Sequence, residues 1–203
     1  MSRSHTKKCI HYNDYTNDFI YEYPSVLTSS ECDMIIQLAN KKGLSQDRLL
    51  DGKYIQSQET EYNPLLTYQV WIGTSEKIIH TLNDKISKLI HRSLEKQPPF
   101  EIIQYTTSTS ETIQHYDAYE PIDLKNSHVK QRFATMVLYL NDDYLGGETY
   151  FPLLNKTIYP EKGKVLFFYN VNNHKQTIRK TSLHQSYSIK QGEKWVAHRC
   201  ITL

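Results

Sequence analysis

The apolar residues of this chain follow two periods, and the change falls at Pro98-Pro99. Upstream, Thr28-Ser29-Ser30-Glu31 has the spacing of a capping box that opens a helix. Cys32, Ile35, Ile36, Leu38 and Ala39 then form one apolar stripe, with Gly43 placed to stop it, so Cys32 reads as a core thiol. A second stripe, Ile78, Ile79, Leu82, Ile86, Leu89, Ile90 and Leu94, begins after Ser75 and predicts a helix running until the two prolines. Short strands are expected at 19–23 and 68–72, and the polar, aperiodic stretch 44–63 is expected to form a long loop able to close over a substrate. From Phe100 the helical period is gone. Residues 100–105, 133–140, 148–151, 165–169, 184–189 and 195–203 are short β-favouring runs separated by turn-like stretches. Six such runs predict a mainly β sandwich or barrel with flanking α-helices packed outside it.

Length adds a bound: 203 residues suit one domain with a sizeable core. Residues 1–18 read as a flexible N-terminal segment, 19–99 as a helical support region and 100–203 as the β core. Sixteen tyrosines against seven glycines and seven prolines agree with a strand-rich fold. A formal net charge of +2, from 24 basic and 22 acidic residues, argues against a nucleic-acid or anionic-membrane partner, and Arg3, Lys7 and Lys8 read as a solvated terminus. Cys9, Cys32 and Cys200 are an odd number without metal-type clustering, which favours neither a disulfide framework nor a thiolate zinc site. No apolar run suggests a signal peptide or a membrane span, so an intracellular, soluble protein is expected.

The candidate chemistry centres on Gln114-His115-Tyr116-Asp117. If this stretch is a strand, His115 and Asp117 project to one side as an imidazole and a carboxylate. About one His-x-acid pair is expected by chance in a chain of this composition, so the pair needs support from elsewhere. A mononuclear iron site of the two-histidine, one-carboxylate kind requires a third ligand, and His184, which starts a β-favouring run, is the candidate. Ten residues later Lys194, in Gly192-Glu193-Lys194-Trp195, is placed to pair with a bound carboxylate.

Seven pieces in one order give the sequence a family likeness: Tyr105, His115-Tyr116-Asp117, Arg132 to Asn141, Gly146-Gly147-Glu148-Thr149-Tyr150-Phe151-Pro152, Lys162 to Phe168, Thr181-Ser182-Leu183-His184 and Gly192 to Trp195. Together they resemble the prolyl 4-hydroxylase branch of the iron(II)- and 2-oxoglutarate-dependent dioxygenases. The resemblance implies a double-stranded β-helix (jelly-roll) core, with His115, Asp117 and His184 as iron ligands. It implies that Lys194 binds 2-oxoglutarate, that Tyr105 and Thr149 supply hydroxyls to it, and that Arg132 faces a peptide substrate. The expected reaction couples decarboxylation of 2-oxoglutarate by O2 to hydroxylation of a proline-containing peptide, with ascorbate as the supporting reductant. The chain departs from the family at three places. There is one extra residue between Tyr105 and His115. Thr112 and Cys200 stand where large substrate-side aromatics are usual.

Two rival readings keep the fold: a hydroxylase of another side chain, such as lysine, or of a small molecule, and a catalytically silent peptide-binding module. His174 and His198 match no ligand position and read as having no part in the site.

Overall fold

The structure, a computed structural model, describes residues 8–11, 20–49, 65–107, 111–125, 129–172 and 177–202. Its first half contributes strands β1 (Lys8–His11), β2 (Ile20–Tyr23), β3 (Ser45–Leu49), β4 (Leu65–Ile72) and β5 (Phe100–Tyr105), with helices α1 (Ser29–Lys42) and α2 (Lys77–Ile90) between them. The second half adds α3 (Pro121–Lys125), β6 (Arg132–Tyr139), β7 (Leu145–Gly146), β8 (Thr149–Phe151), β9 (Lys156–Ile158), β10 (Val165–Tyr169), β11 (Gln185–Ser186), β12 (Ile189–Gln191) and β13 (Lys194–Thr202). One antiparallel sheet runs β1-β2-β10-β6-β13-β5-β4-β3, beside smaller sheets β11-β8-β9 and β12-β7.

The large sheet has a helix side and an inner side, set by residue alternation. Phe100, Ile102, Ala134, Met136, Leu138, Val165, Phe167, Trp195, Ala197 and Ile201 meet Cys32, Ile35 and Ala39 of α1 and Ile79, Leu82 and Ile86 of α2. Their strand neighbours Ile103, Tyr139, Leu166, Phe168 and Val196 pack inward against Phe151 of β8 and Ile158 of β9. Helix α1 opens as expected: the Thr28 hydroxyl accepts from the Glu31 N–H, and the Glu31 carboxylate accepts from the Thr28 N–H. Cys32 is fully buried, and that burial raises its thiol pKa to about 11, as suits a core thiol.

Three local expectations change. Residues 45–49 are not loop: β3 pairs antiparallel with β4 from Ser45↔Gln69 to Leu49↔Leu65, as a polar edge strand that needs only backbone partners. The rest of the 44–63 stretch from residue 50 on, with Tyr54 and Tyr62, lies outside the described residues. Helix α2 stops at Ile90, short of the prolines, because His91 turns left-handed at φ 53° and its N–H closes on the Ser87 carbonyl; Leu94 still reaches the core. The run 184–189 divides into β11 and β12, which pair with β8 and β7 respectively.

Arg199, on the helix side of β13, is 1% exposed. Its guanidinium lies 3.5 Å from the Phe100 ring centroid and donates to Asn83 Oδ1 at 2.7 Å, while Nε and Nη2 have no hydrogen-bond partner among the described residues. Burial lowers its pKa to about 9. Asn83→Ala removes the one acceptor and is expected to destabilise the protein by about 1–3 kcal/mol. Arg199→Met, which keeps the volume and removes the unpaired donors, should cost less or stabilise. Urea unfolding of the two variants tests this order.

Candidate active site

His115 and His184 meet through a single antiparallel bridge, not through a strand around His115. The His115 N–H donates to the His184 carbonyl at 3.0 Å, and the His184 N–H donates back at 3.1 Å. This pairing sets the two imidazoles side by side, ring centroids 4.4 Å apart. Each ring is then oriented by its own local backbone: His115 Nδ1 lies 2.9 Å from the Ile113 carbonyl and His184 Nδ1 lies 2.9 Å from the Ser182 carbonyl. A carbonyl only accepts, so Nδ1 carries the proton in each ring and the Nε2 lone pairs face away. Both point at Asp117, at 3.6 Å from His115 Nε2 to Oδ1 and 3.9 Å from His184 Nε2 to Oδ2.

Asp117 is buried and held by a relay. Asn170 Nδ2 donates to Thr135 Oγ1 at 2.8 Å, which directs the Thr135 hydroxyl proton onto Asp117 Oδ2. Burial works against the carboxylate charge, but His184 and His115 outweigh it and hold the Asp117 pKa well below the usual range. Burial, with His115 beside it, pushes His184 down to about 4, leaving a neutral imidazole at pH 7. Ligand atoms of His115, Asp117 and His184 all lie within 4.8 Å of one another. Two imidazoles oriented by backbone carbonyls and a carboxylate, gathered this closely, could hold a divalent ion and leave adjacent positions for other ligands.

A second cluster is built around Lys194, at the start of β13 and 3% exposed. Its ammonium donates to the Gly147 carbonyl at 2.7 Å and to Ser186 Oγ at 2.9 Å, and lies 5.0 Å from the Tyr105 ring centroid and 6.0 Å from that of Tyr139. Among the described residues no carboxylate forms a salt bridge with it, and burial drops its pKa to about 7. Thr149 is buried beside it, its hydroxyl 3.0 Å from the Tyr139 hydroxyl. The Tyr144 hydroxyl is buried with no hydrogen-bond partner among the described residues. Gly147, at φ 71°, lets these groups converge, since a side chain there would run into Ile189, Lys194 and Tyr144. A buried cation that forms no salt bridge among the described residues, beside a buried hydroxyl with no hydrogen-bond partner among them, fits an anionic, oxygen-rich guest such as the carboxylate of 2-oxoglutarate.

Arg132 lies at the rim. Its Nη1 donates to the Asp117 carbonyl at 3.3 Å and its guanidinium stacks 4.6 Å from the Tyr119 ring centroid. Gln131 clamps Tyr119 by donating to its carbonyl and accepting from its N–H, both at 2.9 Å, which ties the segment after Asp117 to the start of β6. Of the residues singled out in the sequence, His115, Asp117 and His184 share one cluster, Arg132 donates to the Asp117 carbonyl, and Lys194 lies over the Tyr105 ring and over the Tyr139 ring whose hydroxyl meets Thr149. His198 was set aside in the sequence, yet it lies beside Asp117 with Cys200. Burial opposes charge on His198, but Cys200 and Glu101 next to it hold its pKa well above the ordinary imidazole value. The alternation of β13 from Lys194 carries the signal for His198. His174 lies outside the described residues.

Residues 100–201 match the model of the 2OG-Fe(II) oxygenase superfamily. The chain belongs to this superfamily. It is 28% identical over 200 residues to prolyl 4-hydroxylase 13 of Arabidopsis thaliana, covering 91% of this chain and 71% of the relative. Its fold is similar to the 2OG complex of a viral collagen prolyl hydroxylase from Paramecium Bursaria Chlorella virus-1, with a TM-score of 0.71, 25% identity, and 90% of this chain and 94% of that one covered. A Pseudomonas putida prolyl-4-hydroxylase shares the fold at a TM-score of 0.57 and 13% identity, with 91% and 92% covered. The core, mainly β with flanking helices, is a double-stranded β-helix, and the chain is an iron(II)- and 2-oxoglutarate-dependent dioxygenase that uses O2. Among the described residues no helix is long and apolar enough to cross a membrane.

The buried lysine makes stability depend on pH. Its folded value lies below the unfolded one, so between about pH 7 and the ordinary lysine range the unfolded chain binds more protons and stability rises with pH. In ligand-free protein the stability difference between wild type and Lys194→Met should shift in favour of wild type by up to about 1.4 kcal/mol per pH unit above pH 7. Urea midpoints of both proteins across that range measure it.

Proposed function

We propose that this dioxygenase hydroxylates prolyl residues of a peptide or protein, with His115, Asp117 and His184 holding the iron(II). The observation that carries the reading is the meeting of two oriented imidazoles and a buried carboxylate, with Ser186, two residues after His184, accepting from a buried lysine that forms no salt bridge among the described residues. Iron(II), with 2-oxoglutarate and O2, supplies the oxidising power for an unactivated C–H bond that protein side chains lack. The chain's own groups bind and orient. Lys194 pairs with the far carboxylate of 2-oxoglutarate, and Tyr105 and Thr149 supply hydroxyls to it. Arg132, already fixed by the Asp117 carbonyl and the Tyr119 ring, turns the rest of its donor fork to a peptide carbonyl. Ascorbate serves as the reductant that keeps the iron in its ferrous form. The names of the plant and viral relatives support proline as the residue modified.

One observation favours a second reading, in which another side chain is hydroxylated. Thr112 is buried with its Oγ1 accepting from the Ser186 N–H at 2.7 Å, so it braces β11 and does not supply an apolar wall for a pyrrolidine ring.

Succinate release with iron(II), 2-oxoglutarate and ascorbate, followed by mass spectrometry of proline-rich peptides, tests both readings. One added oxygen on proline is the expected product, whereas oxygen found only on other residues overturns the first reading. His115→Ala, Asp117→Ala and His184→Ala should each abolish turnover, and full turnover by any of them removes that residue from the metal set. Lys194→Ala should raise the 2-oxoglutarate KM by about thirtyfold or more, since losing one side of a desolvated charge pair costs about 2–5 kcal/mol.

A further inference from the structure

Alternation along β13 turns His198 and Cys200 to the same side as Lys194 and Val196, two residues apart on one face. Cys200 Sγ lies 4.0 Å from His198 Nε2. The ligand atoms of Cys200, His198 and Asp117 are all within 4.8 Å of one another. On the other edge of the ring, His198 Nδ1 faces Glu101 Oε2 at 3.5 Å, its partner directly across the β13–β5 ladder. A carboxylate at Nδ1 is the support a metal-binding histidine uses, and an ion bound at Nε2 takes the place of the proton that this ring otherwise holds there. Zinc–sulfur and zinc–nitrogen bonds of about 2.3 and 2.0–2.1 Å at a tetrahedral angle place sulfur and nitrogen about 3.6 Å apart. The observed separation needs a closure of only about 0.4 Å. Both side chains are partly exposed, so an ion can reach them from solvent.

We propose that Asp117, His198 and Cys200 form a second metal position, suited to zinc and other thiophilic divalent ions. The set formed with His115 and His184 offers only nitrogen and oxygen. A thiolate beside an imidazole instead favours the softer ion. Asp117 is common to both sets, so an ion held by Cys200 and His198 draws the carboxylate away from the other two histidines and weakens the hold on iron. The second position does not depend on the iron assignment, because it uses neither His115 nor His184.

Cobalt(II) is the probe, added to the intact chain without oxygen or 2-oxoglutarate. A thiolate-to-cobalt charge-transfer absorption should appear in the near ultraviolet, vanish in Cys200→Ser, weaken at least tenfold in affinity in His198→Gln, and persist in His184→Ala. Equilibrium dialysis against zinc should likewise show a bound ion in His184→Ala that is lost when Cys200→Ser is added. Absence of the absorption from the wild-type protein, or its survival in Cys200→Ser, overturns the proposal. Wild type and Cys200→Ser alone decide the matter, since serine nearly matches cysteine in size and leaves the buried core untouched.

Discussion

The site depends on one short piece of backbone pairing. His115 and His184 exchange two hydrogen bonds although neither lies in a longer ladder, and that exchange brings together two segments far apart in the chain. A bridge of two residues is weak by itself, and it is braced from one side. Thr112 donates its N–H to the Ser186 carbonyl and accepts the Ser186 N–H at its hydroxyl, extending the pairing beyond the bridge. Ser186 Oγ then accepts from Lys194, so the brace that aligns the imidazoles also positions the ammonium. Displacing this short pairing would disturb the imidazole pair and the lysine pocket together.

Burial supplies the electrostatics. Asp117 keeps its charge in the interior because His184 and His115 face it and Thr135 donates to it, with Asn170 fixing the direction of that hydroxyl. Lys194 forms no salt bridge among the described residues, and burial outweighs the pull of Glu148, so its ammonium is easy to deprotonate. Arg199 is a buried cation on the opposite face with one strong acceptor, Asn83, and an aromatic ring. The two cations differ in what surrounds them. Lys194 stands among hydroxyls and a carbonyl that an anion could join, whereas Arg199 is enclosed by the helix layer. An unpaired charge costs stability in either place, but only on the inner side is there polar company for a ligand.

The large sheet separates these roles by strand parity. From Ala134 on, the even positions of β6, with the odd positions of β13, face α1 and α2 and form the larger apolar cluster; before it the register shifts, and Phe133 joins that cluster. Opposite parity turns Thr135, Val137 and Tyr139 of β6, and Lys194, Val196, His198 and Cys200 of β13, towards the site. A slip of one residue in the β6–β13 register would exchange the two sets, burying Lys194 against the helices and turning apolar side chains towards the candidate ligands. Packing on the helix face therefore fixes the register on which the chemistry relies.

Much of this was legible in local pattern. The capping box of α1, both helical stripes, the strands at 100–105 and 165–169, and the grouping of His115, Asp117 and His184 all follow from spacing, or from a resemblance carried by short motifs. Tertiary structure decided the rest. Residues 45–49 carry no apolar period because an edge strand takes its partners through the backbone, and β4 supplies them only once the sheet exists. His115 is no strand residue by its neighbours, and its alignment comes from a bridge to a residue distant in sequence. His198 matches no ligand position in the motif, yet the β13–β5 ladder sets it between Glu101 and Asp117. Periodicity tells which side chains of one element share a face. It cannot tell which faces will meet, because that depends on long-range pairing, and metal and cosubstrate pockets are made where faces meet.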